Sequence, residues 1–224
     1  GQQVIREILR GGSACPDLIR IDATWLPGLV AEGLLAPLAA ALAALDWTPA
    51  AAELATYDGA LWGAPEAVDG LVVVRAASTP APASPAIADL VAAARASKLA
   101  HPLGLRVDAY WLVPWLRREG AELAPDKLDG AAEGLADFAA LFGTLAPAPP
   151  PLGSEAPDEL RRWTAHELAY WVTGPWQLGA LPDAGAIAVS PLAHAPLGGQ
   201  FLVVPRCAAR PADGWQLAAT LTAV

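Results

Sequence analysis

Short runs rich in β-branched and aliphatic residues alternate with longer stretches of helical spacing along this chain, and Gly and Pro separate them. That alternation is the pattern of an α/β protein, in which helices cover the faces of a sheet. Gln2 to Arg10 reads as a short helix closed by Gly11-Gly12. Asp17 to Asp22 reads as a strand, Leu26 to Gly33 as a helix with Pro27 in its first turn, and the Ala/Leu run after Pro37 as another helix. In Tyr57 to Gly63, Asp58-Gly59 lies between two apolar flanks, which is a hairpin signal. Leu71 to Val74 reads as a strand, and Ser78 to Pro85, with its three prolines, as an extended connection. Beyond it the spacing predicts a helix over Ile87 to Ala100, a strand over Leu103 to Val107, and a helix through Trp115 to Arg118. A long helix over Leu128 to Leu145 and a Pro-rich connection over Ala146 to Gly153 follow. The chain closes with a helix over Pro157 to Ala169, strands at Ile187 to Val189 and Phe201 to Val204, and a helix from Trp215 to Val224.

The 224 residues suffice for one large domain or two modest lobes with real cores, and 54% apolar residues exclude a disordered chain. The longest apolar candidate for a membrane span, Leu34 to Leu45, has 12 residues and contains Pro37, whereas a span needs about 20. The opening residues do not read as a secretion signal, and Gly1 would suit a cleavage scar. With a net charge of −9 and only 14 scattered Lys and Arg, the chain is not expected to bind nucleic acid or an anionic membrane surface. The absence of Asn removes any N-glycosylation acceptor. Cys15 and Cys207 are too far apart in sequence for a zinc or CxxC motif, which leaves two buried free thiols or a long-range disulfide. No catalytic motif is present: there is no GxSxG elbow and no Walker loop, His166-Glu167 lacks the second His of HExxH, and His101, His166 and His194 are dispersed. No metal site, cofactor or enzymatic activity is expected.

Five stretches, in order, resemble the family 1 extracellular solute-binding proteins of ABC importers, the maltose-binding type. The first is Pro16-Asp17-Leu18-Ile19 with Asp22, Trp25, Pro27 and Gly33-Leu34-Leu35-Ala36-Pro37-Leu38. The second runs from Tyr57-Asp58-Gly59 through Trp62-Gly63-Ala64-Pro65 to Asp69. The third is Asp108-Ala109-Tyr110-Trp111 with Pro114 and Glu119-Gly120-Ala121-Glu122-Leu123, and the fourth is Gly174-Pro175-Trp176. The fifth is Ile187-Ala188-Val189-Ser190-Pro191-Leu192 with Gly198-Gly199-Gln200-Phe201. The resemblance implies a type II, two-lobed periplasmic-binding-protein-like α/β fold, its lobes joined by crossing strands and closing by a hinge. It places lobe one at residues 1–71 plus 202–224 and lobe two at 72–201. The family's Tyr-Asn after the first crossing is replaced around Val73 to Arg75, its next helix-start Trp near Pro85, and a Gly by His166. By the same resemblance the chain starts after the family's first strand and helix and stops before its C-terminal helices.

A sugar offers hydroxyls at its rim and C–H groups on its faces, so its site needs flat rings for stacking and polar groups for orientation. The resemblance carries that role to Trp25, Asp69, Asp108, Tyr110, Trp111 and Trp176, with Asp22 and Glu66 as weaker candidates. Asp108 and Tyr110 would hydrogen-bond hydroxyls, while Trp111 and Trp176 would stack. Packing offers a rival role for each, since a Trp in an apolar protein is usually core. Trp62, Trp115, Trp163, Trp171 and Trp215 are assigned to the core, Asp108 and Asp22 could simply cap helices, and Asp69 could be a solvated loop acid. In the family's fold the strands after Cys15 and before Cys207 are antiparallel neighbours, so the resemblance makes a Cys15–Cys207 disulfide feasible. The function implied is binding of a mono- or oligosaccharide for an ABC transporter membrane permease, without catalysis. The compartment implied is periplasmic or extracytoplasmic, with tethering to or fusion with a membrane protein as a further option. The alternative is a shortened relative, fused to or docked on a permease or sensor, that serves as a scaffold with weak or no binding.

Overall fold

The computed structural model describes residues 2–11, 15–43, 46–118, 131–149, 158–181 and 184–222. Its elements in chain order are α1 (Gln2–Gly11), β1 (Ile19–Asp22), α2 (Leu26–Ala31), α3 (Ala40–Ala43), α4 (Pro49–Ala55), β2 (Thr56–Tyr57), β3 (Ala60–Leu61), β4 (Ala64–Gly70) and β5 (Val72–Ala76). Then come α5 (Ile87–Arg95), β6 (Leu103–Gly104), α6 (Ala109–Arg117), α7 (Ala131–Leu141), α8 (Glu159–Thr164), β7 (Tyr170–Thr173), β8 (Ile187–Pro191), β9 (Leu197–Val203) and α9 (Pro211–Thr222). The chain divides into two compact units, Gly1–Asp69 with Leu197–Val224 and Gly70–Pro196. The sequence reading places the breaks after residues 71 and 201, whereas β9 begins at Leu197 and pairs with β1 inside the first unit.

The first unit is built on the sheet β1-β9-β4, with Ile19 opposite Val203 and Asp22 opposite Gln200 in an antiparallel ladder. Because side chains alternate along a strand, Ile21, Phe201 and Val203 share one face, packed with Leu9, Leu26, Leu29 and Leu35. Leu202 and Val204 face the other way, onto Trp215 and Ala218 of α9. Gly33 ends the turn after α2 in the left-handed region (φ 67°), and its N–H donates to Val30 O at 2.8 Å. The expected hairpin is β2–β3, with Asp58 at φ 49° and Gly59 at φ 72° in its turn. Cys15 and Cys207 are joined by a disulfide with their Cα atoms 5.9 Å apart. Beside it, Asp17 accepts from the backbone N–H of Arg210 at 2.8 Å and from its Nε at 3.1 Å. These bonds, the backbone one foremost, hold the Asp17 carboxyl below the usual range. A Cβ on Gly214 would lie 2.2 Å from Asp17 O, so only Gly lets α9 approach there.

The second unit centres on the sheet β6-β7-β5-β8, with β5 antiparallel to both neighbours and β6 parallel to β7. One face carries Val73 and Val172 against Ile87, Leu90, Trp115, Phe138 and Leu141. Trp115, Phe138 and Phe142 meet edge to face at 5.1 and 5.3 Å. The other face carries Val74 and Trp171 with Leu168 and Leu181. A Cβ on Gly134 would sit 2.5 Å from Trp115 O, which is why α6 and α7 pack so closely. The Tyr170 hydroxyl donates to Pro80 O at 2.9 Å and pins the Pro-rich connection.

Several elements differ from expectation. The helix expected over Pro157 to Ala169 ends at Thr164, and Tyr170–Thr173 is a strand with all four residues buried. A short run buried on both faces has no two-residue alternation to mark it, so its strand state was decided by the pairing with β5. The strand over Leu103 to Val107 shrinks to Leu103–Gly104, and the helix from Ile87 stops at Arg95. The beginning of the helix expected over Leu128 to Leu145, the Glu119–Leu123 motif and the second half of the second Pro-rich stretch lie outside the described residues. Trp115, Trp171 and Trp215 are buried, whereas Trp62 and Trp163 are half-buried, with the Trp62 indole N–H donating to Tyr57 O at 2.9 Å.

Candidate ligand-binding site

The residues singled out from sequence fall into two clusters, one in each unit. In the second unit, α6 and the turn after β7 bring three aromatic rings together. Tyr110 and Trp111 lie 5.9 Å apart between centroids, Tyr110 and Trp176 6.4 Å, and Trp111 and Trp176 6.3 Å, all edge-on or tilted. Trp176 is 46% exposed, which is unusual for a Trp in so apolar a chain. Its ring folds back over Gly174, where an added Cβ would come within 1.9 Å of ring carbons. Gly174 therefore stands at that position for space, and the Gly-Pro-Trp motif is a local device for laying an indole on backbone.

Trp111 differs from Trp176. It is 7% exposed, its indole N–H donates to Val172 O at 2.8 Å, and the guanidinium of Arg106 lies 5.1 Å from its ring centre. Tyr110 is half-buried, and its hydroxyl donates to Pro196 O at 3.0 Å. Asp108 is exposed and caps α6, accepting the Tyr110 N–H at 2.8 Å with one carboxylate oxygen. Behind the cluster, the buried Glu159 lies 4.0 Å from Arg106. Burial above all pushes its carboxyl above the usual range, against the pull of Arg106 and Arg162.

The first unit gathers polar groups instead. Asp22 caps a turn of 3-10 helix over Ala23–Trp25, accepting from Thr24 N at 2.8 Å and Thr24 Oγ1 at 2.6 Å. Its second oxygen accepts from Gln200 Nε2 at 3.3 Å. Arg20 and Glu66 form an ion pair on the same sheet. Asp69 is half-buried, and desolvation, aided by the charge of Asp22, raises its carboxyl above the usual range while Arg20 opposes. Trp25 packs half-buried against the core of this unit. Sequence reasoning gave no site role to Arg20, Gln200 or Arg106, because pairing across strands leaves no mark in local spacing, and neither does the laying of Arg106 over the nearby Trp111 ring. Gly174 and Gln200 were inside motifs already noted. Among the described residues no group of three or more His, Cys, Asp and Glu side chains could hold a metal ion, and no helix is long and apolar enough to cross a membrane.

The family model of the bacterial extracellular solute-binding proteins matches residues 3–223. This chain belongs to that family. Among solved structures, the GacH receptor of Streptomyces glaucescens GLA.O, determined unliganded and with acarbose, is 24% identical at a TM-score of 0.81. The maltotriose-binding protein of Thermus thermophilus, with maltotriose bound, is 20% identical at 0.76 over 98% of this chain and 66% of that one. The substrate-binding protein Lmo0181 of Listeria monocytogenes, in complex with cycloalternan, is 17% identical at 0.80 over 99% of this chain and 64% of that one. The fold is thus the two-lobed α/β fold of type II periplasmic binding proteins. The match to the GacH receptor covers 98% of this chain and 64% of the receptor's length. No curated protein matches the sequence significantly.

Proposed function

We propose that this family member binds a sugar or oligosaccharide and hands it to an ABC-type importer, without chemistry of its own. The observation that carries the reading is the exposed Trp176, laid over Gly174 beside Tyr110 in the second unit. An exposed, immobilised indole gives a flat apolar face at little entropic cost, and the C–H face of a pyranose is its natural complement. Trp111 holds that indole in place rather than stacking on ligand, since its N–H is already engaged and Arg106 covers its ring. The sugars bound by the GacH receptor and the Thermus protein agree with this ligand class. The Cys15–Cys207 disulfide supports an extracytoplasmic location, where such bonds persist.

Intrinsic tryptophan fluorescence and calorimetry against maltose, maltodextrins, trehalose and other oligosaccharides test the proposal. A saturable response is expected from one class, weakened about tenfold in Trp176→Ala, the loss of one ring contact. A folded protein silent to the whole panel would overturn it.

A further inference from the structure

Among the described residues, Arg106 is the one cation stacked on the aromatic cluster, and its donors are unspent there. Its guanidinium lies 5.1 Å from the centre of the Trp111 ring. Its only other partner among the described residues is Glu159, at 4.0 Å, beyond hydrogen-bond range, and the Arg106 side chain is 40% exposed. A guanidinium that stacks on an indole uses its flat face, and its five N–H groups still point outward in the plane. Stacking and the Glu159 charge together hold this long side chain where it would otherwise move freely. The neighbouring acid, Asp108, has one oxygen committed to the Tyr110 amide. The cluster therefore presents, around one indole, an open aromatic face at Trp176 and a fork of free donors at Arg106.

We propose that Arg106 makes this site selective for a sugar bearing a carboxylate, a uronic acid or an oligosaccharide containing one. The inference rests on the sugar-binding reading and narrows its ligand class. A planar carboxylate accepts two parallel N–H bonds from a guanidinium, which a neutral hydroxymethyl group at the same sugar carbon cannot do. Trp176 would take the ring face and Arg106 the carboxylate.

The test compares isosteric pairs at pH 7, glucose with glucuronate and galactobiose with digalacturonate, by fluorescence titration and calorimetry. In the unaltered protein the acidic member is expected to bind about tenfold tighter or better, as charge-assisted bidentate pairs do, and to weaken with added salt. Arg106→Gln should bring the ratio within a pair close to one, and Arg106→Lys should retain part of it, since the charge remains and the fork is lost. The Lys variant also guards against a Gln variant that fails to fold. Neutral members binding as well as acidic ones, or a ratio untouched in folded Arg106→Gln, would overturn the inference and leave sugar binding standing. No response to either member of any pair, with the wider oligosaccharide panel also silent, would remove both.

Discussion

The first unit is assembled from both ends of the chain and the second from one continuous stretch, and their stabilising chemistry differs accordingly. The first needs its two segments held together, and does so with a disulfide across 192 residues of sequence, an Arg210–Asp17 ion pair beside it, and the β1–β9 ladder. The second relies on aromatic packing: Trp115, Phe138 and Phe142 on one face of its sheet, Trp163 and Trp171 on the other. Their candidate binding groups also differ, with Asp22, Glu66, Asp69 and Arg20 beside Trp25 in the first, and the three rings Tyr110, Trp111 and Trp176 with Asp108 and Arg106 in the second. Covalent closure thus stands where the chain is discontinuous, and dense packing suffices where it is not.

Breaking the disulfide tests the contrast most directly. Cys15→Ser with Cys207→Ser, or reduction, should destabilise the first unit by up to about 5 kcal/mol, the chain-entropy value for so long a loop. Calorimetry should then show an early transition for that unit with the second little changed; an unaltered thermogram would abolish the contrast. The converse is Trp115→Ala, expected to cost the second unit about 3–5 kcal/mol by loss of a buried indole. If both transitions fell together, the units would melt as one and the comparison would have to be withdrawn.

Smaller effects sharpen the comparison at the rings. Gly174→Ala should displace Trp176 and weaken sugar binding about tenfold, as loss of that ring contact would. Gly179→Ala, where an added Cβ meets nothing, is its control. Equal affinities for the two variants would show that the indole does not depend on Gly174. Smallest is Glu159. Because burial raises its folded pKa, the folded state binds its proton more tightly than the unfolded chain, whose Glu titrates near about 4.3. Stability therefore falls as pH rises from the unfolded value through the folded one, and the cost persists at neutral pH. Glu159→Gln should raise the melting temperature slightly at pH 7 and leave it unchanged near pH 4; a lower melting temperature at pH 7 would mean that the Arg106 and Arg162 attractions outweigh desolvation.

Much of the architecture was legible in local chemistry. Gly11, the Pro27 first turn, Gly33 and Asp58-Gly59 mark the elements where the structure has them, since caps and turns act over a few residues. The α/β alternation and the Gly-Pro-Trp motif were equally open to reading. Less legible was β7, whose Tyr170–Thr173 run is buried throughout without alternation and became a strand by pairing between β5 and β6. Local spacing offered capping as the rival to a ligand role for Asp108 and Asp22, and the structure has both capping, but no local signal separates a capping carboxylate from one that also meets Gln200 across a ladder.

By itself, then, the sequence determined the class of elements, most of their ends and the residue types on offer, because propensity, capping and alternation are interactions between near neighbours. Only the tertiary structure decided that Trp111 is covered while Trp176 is open, that Arg106 lies over an indole, and that Cys15 meets Cys207. Those outcomes depend on which faces the sheets bury and which distant segments they bring into register, and burial of that kind is a property of the whole chain.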